Sequence, residues 1–315
     1  MKRTTDMLIA LRGLAMGIAE VIPGVSGGTI AFITGIYERL LASIKQILGP
    51  ELWQSWRQGG FIRVWSDADG RFLLALLMGM AAGIVIGVFG VSHLMERYPV
   101  LLWAFFFGLI IASSIFIARQ ITRWGVAEYS TLALGTALAF YITIATPAQG
   151  TDAHWFVFLS GVIAISALIL PGLSGSFVLL LLGMYTTIIG TLKKLLQHFD
   201  VESLITIVIF ALGCLLGLAT FSRILSWMFK TWHNLTLALL TGFMLGSLNK
   251  VWPWRQVVSY RTNSKGIEVP FLEKSVLPSQ YISGDPMLAG ALACMVLGVL
   301  LVWWIERTSK PQRHV

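Results

Sequence analysis

The stretch Ile22-Pro23-Gly24-Val25-Ser26-Gly27-Gly28-Thr29 decides how this chain is read. It interrupts an apolar run with a Pro-Gly pair. Proline removes a backbone donor, and glycine weakens a helix interior by about 1 kcal/mol relative to alanine. In hydrocarbon, backbone groups freed in this way need partners from protein, water or a ligand. A second copy, Pro171-Gly172-Leu173-Ser174-Gly175-Ser176, begins 148 positions later (171 − 23). Breaks at corresponding points of two halves are the best sequence pointer to a binding site in a membrane protein.

The surrounding composition is that of a membrane protein. Of 315 residues, 56% are hydrophobic and 12% charged, against about 25% charged in soluble chains. Stretches without Asp, Glu, Lys or Arg cover 72–92, 98–118, 129–147, 155–192, 203–222, 231–249 and 286–305. Each approaches or exceeds the roughly 20 residues that cross about 30 Å as a helix. The ~10-residue alternating segments of a membrane barrel are missing. The class is all-α and polytopic. Met1 to Ala10 does not read as a signal peptide, because Asp6 and Arg12 interrupt the apolar run. Cys214 and Cys294 both lie in apolar spans and read as packing residues rather than a disulfide. The net charge of +8 fits cytoplasmic loops and anionic headgroups, with no nucleic-acid partner implied.

Placing 13–37 over 161–185 pairs Gly13 with Gly161, Ala19 with Ala167, Pro23 with Pro171 and Gly24 with Gly172. Ser26 then meets Ser174, Gly27 meets Gly175, Gly35 meets Gly183 and Tyr37 meets Tyr185. Gly79 and Gly83 match Gly213 and Gly217, and Gly108 matches Gly242, all at an offset of 134 (213 − 79). Small-x-x-x-small spacing lets helices approach closely in lipid, so packing is the first reading of these glycines.

The chain therefore divides into repeats 1–148 and 149–315. The first holds a broken, re-entrant hairpin (5–48) and spans 72–92, 99–118 and 129–147; the segment 50–71 reads as a long polar loop. The second holds a hairpin (155–192) and spans 203–222, 231–249 and 286–305. A hairpin that returns to its own side plus three crossings is an odd number, which inverts the second repeat relative to the first. With the N-terminus cytoplasmic, the inside collects Lys2, Arg3, Lys45, Arg57, Arg63, Arg71, Arg119, Arg123, Arg223, Lys230, Arg307, Lys310 and Arg313. The outside loop 148–154 has no Lys or Arg, but the loop 250–285 carries Lys250, Arg255, Arg261, Lys265 and Lys274, against the charge rule.

Glycines after each break leave N–H groups at the start of the next half-helix, where an anion is favoured. Ser26, Thr29, Ser174 and Ser176 add hydroxyls. If the two tips met at mid-membrane, they would converge on one anion; the plainer reading is a tight turn capped by serines. Glu20 lies in an apolar segment where its repeat partner is Leu168. It is open to a proton-carrying role, a pairing with Arg12 or Arg39, or a cap on the break. Arg39 is a candidate for snorkelling to a headgroup, and Tyr37 and Tyr185 read as interfacial. His93, His154, His198, His233 and His314 are scattered and no Walker loop occurs, so neither a metal nor ATP is expected, and no cofactor.

From Arg12-Gly13 through Ala19-Glu20-Val21-Ile22-Pro23-Gly24-Val25-Ser26-Gly27-Gly28-Thr29 to Gly35-Ile36-Tyr37-Glu38, the chain resembles a bacterial membrane family of polyprenyl-phosphate (undecaprenyl-phosphate) translocases. The second motif and the pattern of spans extend the resemblance over nearly the whole chain. It implies a multi-pass inner-membrane flippase, both termini cytoplasmic. Such a protein returns the C55 carrier monophosphate from the outer to the cytoplasmic leaflet for cell-envelope synthesis. It also implies a substrate site at the motif positions: Pro23, Gly24, Ser26, Gly27, Gly28, Pro171, Gly172, Ser174 and Gly175. The partners are then the lipid phosphate and surrounding membrane lipids, with a homo-oligomer left open.

Two rivals share the motif. Undecaprenyl-pyrophosphate phosphatases carry a similar Pro-Gly-x-Ser-Arg-Ser-Gly segment, but here Gly27 and Gly175 stand where that arginine would be. A phosphatase needs cations on the transferring phosphoryl group, so the chain does not read as an enzyme. A transporter of a small soluble anion could use the same site. A lateral, lipid-facing opening near the motifs would separate it from a lipid carrier.

Overall fold

A computed structural model describes the chain over residues 6–22, 25–146, 148, 150–262 and 268–308. Pro23 and Gly24 lie outside the described residues. Helix α1 (Asp6–Val21) runs to the first break, α2 (Gly27–Ile33) is a short half-helix, and α3 (Tyr37–Ile47) follows. After the second break the order recurs as α8 (His154–Ile169), α9 (Gly175–Leu181) and α10 (Tyr185–His198). Each hairpin thus has three pieces where two were expected. The additional corners are Gly35 and Gly183, both at φ +70°, a conformation that glycine adopts without a Cβ clash. Across the second corner, α9 and α10 are bent by 108°.

The remaining helices are α4 (Pro50–Asp67), α5 (Gly70–Arg97), α6 (Pro99–Ala118), α7 (Val126–Ile144), α11 (Val201–Thr231), α12 (His233–Ser247) and α13 (Leu288–Thr308). By length and composition, α5, α6, α11 and α13 can each cross a membrane, and the bent α9–α10 pair raises that number to five. This is a multi-pass membrane protein. The expected span at 231–249 is a helix of 15 residues, about 22 Å long and short of the hydrocarbon thickness. It can be short because protein surrounds it: Leu237, Ala238, Leu240, Thr241, Phe243 and Met244 are all buried.

Helix pairing follows a two-fold scheme. Helix α1 packs along α5 as α8 does along α11, and α6 packs along α13 as α12 does along α7. The glycine spacing explains the closeness. A Cβ on Gly79 or Gly83 would collide with the carbonyls of Ala10 and Leu14 on α1. One on Gly213 or Gly217 would meet the backbone of Phe158 and Val162 on α8. Cys214 and Cys294 are unpaired, as expected of packing residues.

Two segments read as loops have structure. Residues 50–67 form α4, started by Pro50 at its first turn and kinked at Gly59 and Gly60. It exposes Trp53, Trp56, Phe61 and Ile62 beside Arg57 and Arg63, a composition suited to the headgroup region. In 250–285, strands β1 (Arg255–Thr262) and β2 (Glu268–Ser275) pair antiparallel. The largest buried cluster joins Ile22, Ile33 and Tyr37 of the first hairpin to Ala167 and Leu173 of the second and to Met244 of α12. The two breaks therefore meet in the middle of the protein.

Candidate functional site

Each tip is built by the residues just after its break. Ser26 is extended (φ −116°, ψ 130°) and caps α2, its Oγ accepting from the Gly28 N–H at 3.1 Å. Glu20, on the last turn of α1, accepts from the Gly27 N–H at 2.7 Å. Of the roles open to Glu20, the structure displays the cap. Ser174 takes the same extended form (φ −107°, ψ 123°) ahead of α9, but its side chain makes no cap bond. Its Oγ lies 2.9 Å from that of Ser176 instead. With Leu168 in the place of Glu20, the second tip lacks both caps of the first.

The tips bond across the repeats. The second break frees the carbonyls of Leu168, Ile169 and Leu170, and the first hairpin receives them. Ser26 Oγ lies 3.3 Å from the Leu170 oxygen and 3.4 Å from that of Leu168. Tyr37 donates its hydroxyl to the Ile169 carbonyl at 3.0 Å. In return, the Gly172 N–H donates to Thr29 Oγ1 at 3.0 Å. Gly172 sits at φ +83° with its Cα side against Met244 of α12, leaving no room for a side chain. A Cβ on Gly28 would press on the Ile169 carbonyl. The glycines thus let two polar turns approach closely, and the hydroxyls satisfy what the breaks expose.

Most of the sequence-derived site residues gather here. Ser26, Thr29 and Ser174 are buried, as are Gly27, Gly28, Pro171, Gly172 and Gly175, whereas Ser176 is exposed. Arg39 is placed elsewhere: its Nε meets Asp69 Oδ2 at 2.6 Å and its guanidinium covers the Phe72 ring at 4.2 Å. Tyr37 belongs to the site although it read as interfacial; it is 3% exposed. Its alignment with Tyr185 next to the corner glycines was the available signal. Among the described residues, no three His, Cys, Asp or Glu side chains are grouped to hold a metal.

An apolar groove of about 780 Å³ opens between α6, α7 and α12, lined by Phe107, Leu132, Phe140, Leu245, Asn249 and Trp252 among others. Leu245 is the chain neighbour of Met244, whose backbone meets Gly172. On a helix the two residues point about 100° apart, and none of the motif residues lines this groove.

A family profile described as undecaprenyl phosphate translocase-like matches residues 16–269. The chain is 42% identical to the polyprenyl-phosphate transporter of Vibrio cholerae serotype O1 over 95% of this chain and 96% of that one. It is 32% identical to the polyprenyl-phosphate transporter of Staphylococcus aureus over 77% of this chain and 85% of that one. No solved structure matches it significantly. With a profile spanning most of its length and a relative matched nearly end to end, the chain belongs to the undecaprenyl phosphate translocase-like family.

Proposed function

We propose that this protein moves polyprenyl phosphate, the C55 undecaprenyl monophosphate, from the outer to the cytoplasmic leaflet of the bacterial inner membrane. The lipid carrier is thereby recycled for cell-envelope polymers. The observation that carries the reading is the meeting of the two Pro-Gly-x-Ser-Gly tips in the buried centre, bonded across the repeats through Ser26, Thr29 and Gly172. A monophosphate needs donors at mid-membrane, and its isoprenoid tail can stay in lipid. In the arrangement described here the tips seal each other. Rocking of one inverted repeat against the other would part them and give the headgroup the N–H and hydroxyl groups now engaged between them.

An apolar tail is supported over a small soluble anion by the apolar groove between α6, α7 and α12, which offers such a tail a surface away from the motif residues. Transport is favoured over hydrolysis because the relatives matched over most of this chain are named transporters. Ser26 and Ser174 bond to backbone groups and to Ser176, and the neighbouring Glu20 carboxylate is engaged by the Gly27 N–H. Of the five cations of 250–285 that stand against an inverted topology with cytoplasmic termini, two are engaged within the protein. Arg255 is buried against Glu273 and Lys250 lies against Phe177. Neither stands as a free loop charge opposing the orientation rule.

Depletion in the native bacterium tests the reading. Loss of the protein should raise outward-facing lipid phosphate, read as increased surface binding of an antibiotic that recognises phosphate lipids. Unchanged surface binding, with no second carrier present, would remove the transport assignment.

A further inference from the structure

The segment after α12 holds two neighbouring cations, Arg255 with a nearly buried side chain and Lys250 half-buried. Lys250 Nζ lies 4.3 Å from the centre of the Phe177 ring, on the first turn of α9. Arg255, at the start of β1, has a side chain only 8% exposed. It donates through Nη1 to the Lys250 carbonyl, and its Nη2 is 3.3 Å from Glu273 Oε2. Its Nε is buried and has no hydrogen-bond partner among the described residues. One carboxylate thus faces two cations, and no described side chain forms an ion pair with Lys250. A buried guanidinium N–H without an acceptor, inside a net positive cluster, is costly unless something anionic visits it.

The surroundings specify the visitor. Asn249 and Trp252 line the apolar groove. Arg255 stands opposite Ser275 in the β1–β2 pair, and the Ser275 hydroxyl bonds Asn249. Asn249 is held there by bonds to Thr143 and Ser275. Phe177 belongs to the half-helix whose tip is the second motif. At the repeat offset of 134, the position of Lys250 is taken by Phe116 in the first half (250 − 134), so the cation occurs in the second half of the chain and not at the matching place in the first. Oxygen acceptors of a phosphate monoester match an arginine edge and a lysine point charge, and the neighbouring groove accommodates an apolar chain.

We propose that Lys250 and Arg255 form a phosphate-receiving subsite behind the Asn249 wall of the apolar groove, where the headgroup of an isoprenoid phosphate docks beside the second half-helix. The nature of the tail rests on the lipid reading above, whereas the demand for a phosphate rests on the two cations. Burial draws the Lys250 ammonium down to about 8, with Arg255 adding to the effect and Glu273 opposing it. A loosely held proton suits a site that must also release its anion.

The test is equilibrium binding to the full chain in detergent with three probes: farnesyl phosphate, inorganic phosphate and farnesol. In Lys250→Met, farnesyl phosphate should bind about 10-fold or more weakly while farnesol is unchanged, and Lys250→Arg should restore most of the loss. Lys250→Gln is the second variant should the methionine protein not fold. If Lys250→Met binds farnesyl phosphate as the wild type does, or loses farnesol equally, the subsite is wrong. Tight farnesyl phosphate binding unaffected by either substitution would leave the lipid reading standing without the subsite. If inorganic phosphate alone binds, and does so through Lys250, the subsite holds and the lipid reading fails.

Discussion

Replacing Thr29 by valine removes the single hydroxyl that accepts the Gly172 N–H, with little change of shape. Thr29 is 1% exposed, so water cannot take its place. Gly172 is held at φ +83° against Met244 and cannot turn its N–H toward another acceptor. Leaving a buried donor unsatisfied costs about 1–3 kcal/mol, and the rigidity on both sides places this case near the top of that range. At roughly 2 °C per kcal/mol for a chain of this size, Tm should fall by ~4–6 °C. Thr29→Ser keeps the hydroxyl and loses one methyl, about 0.8 kcal/mol, or ~2 °C. Thermal unfolding in detergent, followed by the fluorescence of the 12 tryptophans, measures both. A valine variant within ~1 °C of wild type, or a serine variant at least as damaging, would refute the role given to this bond.

Three further outcomes follow from the same contacts. Glu20→Gln keeps an oxygen for the Gly27 N–H and should retain stability and transport, whereas Glu20→Ala should lose about 1 kcal/mol of stability; a stable but inactive glutamine variant would reassign Glu20 to proton carriage. Gly242→Leu, placed against Leu132 and Thr136 of α7, should destabilise by about 1–3 kcal/mol, measured as a lower Tm, while Gly190→Ala, which meets nothing nearby, should not. Lys250 is charged below about 8 in the folded protein but up to its ordinary 10.5 when unfolded. The unfolded chain therefore holds more protons between these values, and this group's contribution to stability rises with pH there. Lys250→Met should be more stable than wild type at pH 7, and the difference should shrink by pH 10.

The centre of this fold was legible because its chemistry is conspicuous in an apolar chain. Pro-Gly-x-Ser-Gly cannot continue a helix, and its recurrence in a second half opened the reading in which two tips converge, beside the plainer one of a tight turn capped by serines. Gly79, Gly83, Gly213 and Gly217 pointed to packing faces that α1 and α8 fill. The corners at Gly35 and Gly183 were hidden because a lone glycine in a largely apolar run also reads as helix packing, and only φ reveals the turn. Tyr37 looked interfacial because a tyrosine near a charged pair usually is; its burial depends on a carbonyl supplied from residue 169. The segment 250–285 is polar enough to pass for a loop, and no local pattern tells that Arg255 turns inward. Arg39 looked available to a ligand, but Asp69, thirty residues on, takes it.

The most direct test is leaflet transfer in proteoliposomes. Purified protein is reconstituted with a fluorescent polyprenyl phosphate, and the fraction reachable by a membrane-impermeant quencher is followed over time. Wild type should exchange the lipid between leaflets, and Ser26→Leu or Ser174→Leu protein that is folded and inserted should not. Normal transfer by both variants would contradict a phosphate site at the paired tips, and no transfer by the wild type, with or without an ion gradient, would contradict the function itself.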